Sequence, residues 1–215
     1  QGTVLCSAQD FYPTFTPAAG MSEQDPECIW EAFLTCIQQI LHQTQHQPLA
    51  VCLSSAMHSL ILLGSNGKPL MNMITWADNR SSAIAERIKQ SDDGEKLYRT
   101  SGTPLHAMAP LSKIIWFKEQ LPLLFSQVDK AIGIKEYIWY KLFHTFEIDY
   151  SIASATGLFD IHSLQWNPYA LTLSSLRKEM LSMPVPTVYY RQGIKQDEAS
   201  RMGIATNIPF VIGAS

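Results

Sequence analysis

Long apolar runs are missing from this chain of 215 residues, although 46% of them are hydrophobic. The longest apolar stretch, at 59–64, is strand-sized, far below the ~18 residues that span a membrane. The sequence does not open with a charged segment followed by an apolar one, as a secretory signal would. These absences predict a cytoplasmic chain with no membrane partner.

An excess of basic charge is missing as well. The chain has 16 Lys and Arg residues against 19 Asp and Glu residues, which gives a formal net charge of -3. Proteins that bind a phosphate backbone normally carry a basic excess, so we expect no nucleic-acid partner. The apolar content excludes a disordered chain, and the length suits one domain or two small ones.

Cysteine is scarce, and no C-x-x-C pair occurs. The four cysteines are Cys6, Cys28, Cys36 and Cys52. Three of them lie in apolar periodic segments, where a free cysteine behaves as a small hydrophobic residue. We therefore expect buried, reduced thiols rather than disulfides or a zinc site.

Several common catalytic signatures are absent too. The chain contains no G-x-x-x-x-G-K-[ST] loop, no G-x-G-x-x-G after a strand, no H-E-x-x-H and no G-x-S-x-G elbow. His42 and His46 lie four residues apart at a helix end, but no third ligand is near them. They are interpreted as a solvated helix face rather than a metal pair.

Strand and helix patterns alternate along the chain. Asp25-Pro26 is typical of a helix start, and Asn66-Gly67 between two apolar runs predicts a β-hairpin. A strand or its turn is expected at 1–6, and further strands are expected at 49–54, 131–133, 185–190 and 208–215. Further helices are expected at 81–90, 95–100, 111–120, 122–128, 136–143 and 196–202. This alternation predicts an α/β or α+β protein with a mixed sheet.

A first polar cluster, from Ser54 to Ser59, contains Met57 and His58 and stands between two apolar strands. Ligands bind at such strand ends in open α/β sheets. The alternative is a tight polar turn without a ligand.

A second cluster is Trp76-Ala77-Asp78-Asn79-Arg80, which follows the hairpin. In an extended strand its aromatic, carboxylate and guanidinium groups would share one face, an arrangement that suits a polyol. The alternative is an Asp78–Arg80 pair that caps the following helix.

The third cluster, 108–120, is by itself a helix with a proline start, for which core packing is the default interpretation. The three clusters in this order resemble the N-terminal half of the FGGY family of carbohydrate kinases. The third cluster fits the first signature of that family through Met108, Pro110, Lys113, Trp116, Phe117 and the pair Glu119-Gln120. The segments 133–137 and 149–160 are most similar to gluconate kinases, with xylulose kinases close behind.

The resemblance covers essentially the whole chain and implies an actin-like ATPase (ribonuclease-H-like) fold. Residues 1–215 would form its N-terminal α/β domain, with a mixed sheet and flanking helices. The implied reaction is ATP-dependent phosphorylation of a sugar or sugar acid, first of all D-gluconate to 6-phosphogluconate, with ATP and Mg²⁺. Another pentulose or polyol is the alternative acceptor within the family.

The resemblance also implies which residues bind the substrate. Met57 and His58 match a substrate turn that reads Gln-Met-His-Gly in the family and Ala56-Met57-His58-Ser59 here. Trp76, Asp78 and Arg80 match a second substrate strip.

The family's phosphate loop, Asp-x-Gly-Thr, is expected before this chain, its catalytic Asp just after Ser215, and its adenosine-binding domain beyond that. No catalytic or metal-binding residue is therefore assigned within 1–215, and the chain alone is expected to be inactive.

Two questions stay open at the level of the sequence. The rival to a kinase is a non-catalytic module that binds a sugar or forms a homodimer. Gluconate would also need a cation for its carboxylate, which Arg80 or Lys113 could supply, whereas Lys113 is alternatively a structural lysine that snorkels to the surface.

Overall fold

The computed structural model describes residues 2–215. Its α-helices are α1 (Pro26–Thr44), α2 (Ser82–Lys89), α3 (Asp92–Ser101), α4 (Pro110–Gln120), α5 (Pro122–Phe125), α6 (Ile134–Phe143), α7 (Tyr150–Ser154), α8 (Pro168–Ser174) and α9 (Gln196–Met202), with a 3₁₀ turn at Lys178–Met180. Within this part of the chain, no helix is both long enough and apolar enough to cross a bilayer.

The strands are short, and they pair in both directions. They are β1 (Glu23–Gln24), β2 (Val51–Cys52), β3 (Ile61–Leu63), β4 (Met73–Ile74), β5 (Lys130–Ile132), β6 (Glu147–Asp149), β7 (Phe159–Asp160), β8 (Gln165–Trp166), β9 (Met183–Val185), β10 (Tyr190–Arg191) and β11 (Phe210–Val211). The pairs β1–β4, β3–β5, β7–β8 and β10–β11 are antiparallel, whereas β2–β11 and β6–β9 are parallel. The predicted mixed pairing is confirmed.

Helix α1 begins where the sequence predicts. The side chain of Asp25 accepts a hydrogen bond from the Glu27 amide at 2.9 Å, and Pro26 occupies the first turn, where a missing amide proton costs nothing. Ile29, Trp30 and Leu34 are buried along one face of the helix. The helix ends at Gln45, which adopts a left-handed φ of 56°.

The β3–β4 hairpin forms as predicted from Asn66-Gly67. Gly67 has a φ of +71°, a conformation that glycine adopts without steric cost. Leu60 and Ile74 exchange backbone hydrogen bonds of 2.9 and 2.8 Å. The segment that enters β3 and the segment that leaves β4 therefore lie side by side, which brings the two predicted substrate clusters together.

Strand β3 separates two apolar cores. Leu60 and Leu62 pack in one cluster with helix α4, whereas Ile61 and Leu63 pack in the other with helices α1 and α6. Successive side chains of a strand point to opposite faces, so this continuous apolar run is a strand covered on both sides. Helices flanking a sheet on both faces are typical of α/β proteins.

Several predicted boundaries were wrong, and two of these errors have a local cause. The strand expected at 185–190 is two strands, because the chain turns after β9, where the Tyr189 amide donates to the Pro186 carbonyl at 2.9 Å. The helix expected at 122–128 ends at Phe125. Beyond that point the Val128 amide bonds to the Phe125 carbonyl three residues back, so the α-helical pattern stops.

The predicted opening strand and the predicted thiol burial were also wrong. Residues 2–14 form no strand, and Val4 and Leu5 are exposed; residue 1 lies outside the described residues. All four thiols are free, but Cys52 is exposed and the other three are only half-buried. The apolar stripe of α1 is not buried along its full length, since Ile40 is 36% exposed.

Candidate functional site

A cleft of about 360 Å³ opens where β3 begins and β4 ends. The two clusters brought together by the hairpin form one wall, through Met57 and Ser59 on one side and Thr75 and Trp76 on the other. The proline-rich loop and the start of β1 complete the lining, through Tyr12, Thr14, Ser22 and Gln24. Hydroxyl and amide groups contribute to this lining beside apolar side chains, and such groups both donate and accept hydrogen bonds.

Of the predicted site residues, Met57 and Trp76 line this cleft. Met57 is half-buried, and Trp76 is 60% exposed. The Trp76 ring is therefore free to cover a bound molecule. The other three predicted residues lie behind the wall rather than on it.

His58 points away from the cleft. Its backbone is left-handed, with a φ of 63°, which is uncommon for a residue other than glycine. The Nδ1 atom lies 3.0 Å from the carbonyl oxygen of Ala155, just beyond α7. Burial lowers the pKa of His58, as does the charge of Lys113. The ring borders an enclosed cavity of about 20 Å³, which has room for about one water.

The segment after β4 turns instead of continuing as a strand. The Thr75 hydroxyl donates to Ser22 Oγ at 2.8 Å and accepts from the Ala77 amide, and the Asp78 amide donates to the Thr75 carbonyl. The predicted extended geometry was therefore wrong. Trp76 faces solvent while Asp78 is fully buried, so the three side chains of this cluster do not share a face.

The Asp78 carboxylate is fully occupied by protein donors. It accepts from the Ser22 amide at 2.7 Å and, in a bidentate pair, from Arg80 Nε and Nη2 at 2.9 and 2.8 Å. Arg80 Nη2 also donates to Glu23 at 2.6 Å, and the guanidinium lies over the Trp116 ring. The pair forms, but it ties the turn to β1 and does not cap α2, because Asp78 bonds no amide of that helix.

Lys113 connects the two clusters from beneath. Its side chain leaves α4 and is completely buried. Nζ donates to the carbonyl oxygens of His58 at 2.6 Å and of Thr75 at 2.8 Å. Burial lowers its pKa to about 7, with Asp78 opposing and Arg80 adding to the shift. Lys113 is therefore a structural lysine, but it does not snorkel, and its ammonium is not exposed to a substrate carboxylate.

A second buried network, which sequence reasoning missed, lies beside the last strand. Lys135 Nζ bonds to Asp149 at 2.8 Å and to the Gly213 carbonyl at 3.1 Å. Asp149 also caps α7 by accepting from the Ser151 and Ile152 amides. The available signal was the adjacent charged residues Lys135 and Glu136 in an otherwise apolar helix, because charged residues are buried almost only when each has a partner.

No group of three or more His, Cys, Asp or Glu side chains within residues 2–215 is arranged to hold a metal ion.

Comparison with known proteins identifies close relatives. The family model described as "FGGY family of carbohydrate kinases, N-terminal domain" matches residues 1–215. The gluconokinase of Bacillus subtilis is 43% identical over 215 residues, which is 100% of this chain and 42% of the relative. A xylulose kinase of Staphylococcus xylosus is 32% identical over 77% of the chain and 35% of the relative.

Solved structures give the same picture. The gluconate kinase of Lactobacillus acidophilus superposes with a TM-score of 0.93 at 34% identity, over 96% of this chain and 42% of that one. A ligand-bound xylulose kinase from the same organism gives the same values. The predicted α/β fold of the actin-like ATPase type, with its mixed sheet and flanking helices, is confirmed. The chain spans about 42% of the length of the curated gluconokinases.

Proposed function

Because this chain belongs to the FGGY family of carbohydrate kinases, we propose that it is the sugar-binding N-terminal domain of an enzyme that phosphorylates D-gluconate to 6-phosphogluconate. ATP is the proposed phosphoryl donor, with Mg²⁺ as its companion ion. The observation that carries the choice of gluconate is the 43% identity to a gluconokinase over the whole chain, compared with 27% and 32% for two xylulose kinases.

The chemistry of the cleft supports a polyhydroxylated acceptor. The polar walls offer the hydroxyls of Thr14, Ser22 and Thr75 and the amide of Gln24. Specific sugar binding needs a few well-placed polar groups combined with apolar surface. Met57 and Trp76, which line the same cleft, supply that surface.

We propose different parts for the five predicted site residues. Met57 and Trp76 contact the sugar directly. His58, Asp78 and Arg80 hold the wall that presents them, because their polar groups are engaged with Ala155, Ser22 and Glu23.

In phosphoryl transfer, the protein contributes mainly by positioning the reactants and stabilising charge. The proposed contribution of this domain is orientation: a rigid cleft that fixes the acceptor hydroxyl converts a two-body encounter into an oriented one. The proton acceptor and the groups that bind ATP are proposed to lie outside residues 1–215, so no chemical step is assigned to a residue of this chain.

Xylulose is the second candidate acceptor. It is favoured by the ligand-bound xylulose kinase structure, which matches this chain as well as the gluconate kinase structure does. Moreover, Lys113 is buried and Arg80 is paired with two carboxylates, so neither offers a free cation to the carboxylate of gluconate.

The test is a coupled assay of ATP consumption by the full-length protein with gluconate, xylulose and glycerol. We expect kcat/KM for gluconate to exceed that for the other two by at least tenfold. A preference for xylulose would transfer the proposal to the second candidate, and turnover of none of them would refute the kinase proposal. Residues 1–215 alone are expected to show no turnover, and Mg²⁺-dependent ATP consumption by them would contradict the assignment of catalytic groups elsewhere.

A further inference from the structure

Lys113 is bonded to both of the clusters that line the cleft. It is completely buried on α4 and, within residues 2–215, forms no salt bridge, unlike the buried Lys135. Its ammonium bonds instead to two backbone carbonyls, those of His58 and Thr75. A buried cation held by carbonyls alone is an unusual arrangement, because buried charges are normally paired.

Both carbonyls belong to residues whose backbone conformation depends on contacts with the rest of the domain. His58 has a left-handed backbone, which persists in a residue other than glycine only when the surroundings hold it. Its ring is fixed to Ala155 and its carbonyl to Lys113. Thr75 is the first residue after β4, at the point where the chain turns to expose Trp76.

Each carbonyl lies next to a residue that lines the cleft. His58 stands between Met57 and Ser59, and Thr75 stands next to Trp76. The Lys113 ammonium therefore joins the backbone beside Met57 to the backbone beside Trp76. We propose that Lys113 is a positioning residue for the acceptor sugar, which sets the spacing of Met57 and Trp76 in one wall of the cleft by joining the His58 and Thr75 carbonyls.

The electrostatic surroundings fit this role. The charged groups that influence Lys113 are Asp78 and Arg80, and His58 lies close enough to be influenced by it. Asp78 is already occupied by Arg80 and Ser22, so the ammonium is left with the two carbonyls. Because its pKa is lowered to about 7, the charge that strengthens these bonds is lost just above neutral pH.

The inference rests on the proposed function, and the test separates the two. In the full-length protein, Lys113→Met keeps a long apolar side chain but removes the ammonium. The matched control is Lys118→Met on the same helix, where Nζ also donates to a carbonyl, that of Leu173 at 3.2 Å, but away from the cleft. The wild type must first phosphorylate a sugar; if it phosphorylates none, the proposed function fails and the variants are not needed.

If the wild type is active, we expect Lys113→Met to raise the KM for the sugar at least tenfold, with the KM for ATP within twofold of the wild type. Lys118→Met should leave both values unchanged. Melting temperatures of both variants, measured alongside, show whether each is folded at the assay temperature. A folded Lys113→Met variant whose sugar KM stays within twofold of the wild type overturns the inference.

If Lys113→Met does not fold, the wild type decides the question. Its dissociation constant for the sugar, measured by calorimetry without ATP, should rise several-fold from pH 6 to pH 8.5 as Lys113 loses its proton. Burial lowers the pKa of His58 from its usual 6.5, which moves its titration toward the acid end of this range. A dissociation constant that is the same at both pH values overturns the inference.

Discussion

Glu136 is a carboxyl group buried at the start of α6, and its replacement by glutamine should change how stability depends on pH. One of its oxygens accepts from the Gly133 amide and the other from the Ser182 hydroxyl. Burial raises the pKa of Glu136 to about 7, and the nearby Asp149 adds to the effect. Neither hydrogen bond nor the charge of Lys135 offsets the loss of solvation.

The direction in which stability changes with pH depends on which state, folded or unfolded, binds the proton more tightly. Because the folded state has the higher pKa, it holds a proton between pH 4.5 and about 7 that the unfolded chain releases. The free energy of unfolding therefore falls as pH rises through this range and is level above it. The difference in pKa corresponds to about 3 kcal/mol, of which about 2 kcal/mol is lost between pH 5 and pH 8.

Glu136→Gln removes the ionisable carboxyl group, and with it this pH dependence of stability, with little change of side-chain shape. Its amide oxygen can accept from Gly133, and its amide nitrogen can donate to the Ser182 hydroxyl. We expect the stability of the variant relative to the wild type, measured by urea unfolding, to increase by about 2 kcal/mol between pH 5 and pH 8. Glu86→Gln, which removes an exposed carboxylate, is the control and should show no such trend. Parallel pH profiles for Glu136→Gln and the wild type would refute the reasoning.

Two further substitutions distinguish a residue that supports the wall of the cleft from a residue that is proposed to contact the sugar. Arg80→Met leaves the carboxylate of Asp78 buried without its cation, so the free energy of unfolding in urea should fall by about 3–5 kcal/mol. Arg99→Met, which breaks an exposed pair, is the control and should change it little. Equal effects of the two variants would contradict a structural role for Arg80. Trp76→Ala removes an exposed ring and should raise the sugar KM several-fold in the full-length protein with an unchanged melting temperature, and an unchanged KM would place the sugar elsewhere.

Local signals predicted the parts of the fold that local physics decides. The start of α1 follows from a side-chain cap and a proline, and the hairpin follows from Asn66-Gly67, whose conformation other residues resist. The errors arose where tertiary contacts decide. The apolar run at 185–190 is typical of one strand, yet Pro186 begins a turn within it, and the apolar residues near the start pack against nothing that buries them.

The sequence predicted that the two clusters lie at one place in the fold, which the Leu60–Ile74 bonds bear out, but it did not predict the direction of their side chains. Alternation in a strand put Trp76, Asp78 and Arg80 on one face, and that expectation failed because the Thr75 hydroxyl turns the chain within two residues. Thr14, Ser22 and Gln24 were missed because isolated polar residues of a loop carry no spacing signal. Only the pairing of β1 with β4 brings Ser22 and Gln24 to the cleft.

The charged residues that stand out in the sequence therefore lie behind the surface of the cleft and hold its backbone in place. Asp78, Arg80 and Lys113 direct their polar groups at backbone amides, backbone carbonyls and one another. The surface left for a ligand includes hydroxyls, an amide, an aromatic ring and the Met57 side chain. This division has a physical reason. The hydroxyl groups of a sugar or sugar acid are matched by groups that both donate and accept, whereas a buried ion pair holds a loop in one geometry. Substitutions of the hydroxyl-bearing residues that line the cleft should therefore change the preference between sugars. Charge reversal at Asp78, Arg80 or Lys113 should instead prevent folding before it alters that preference.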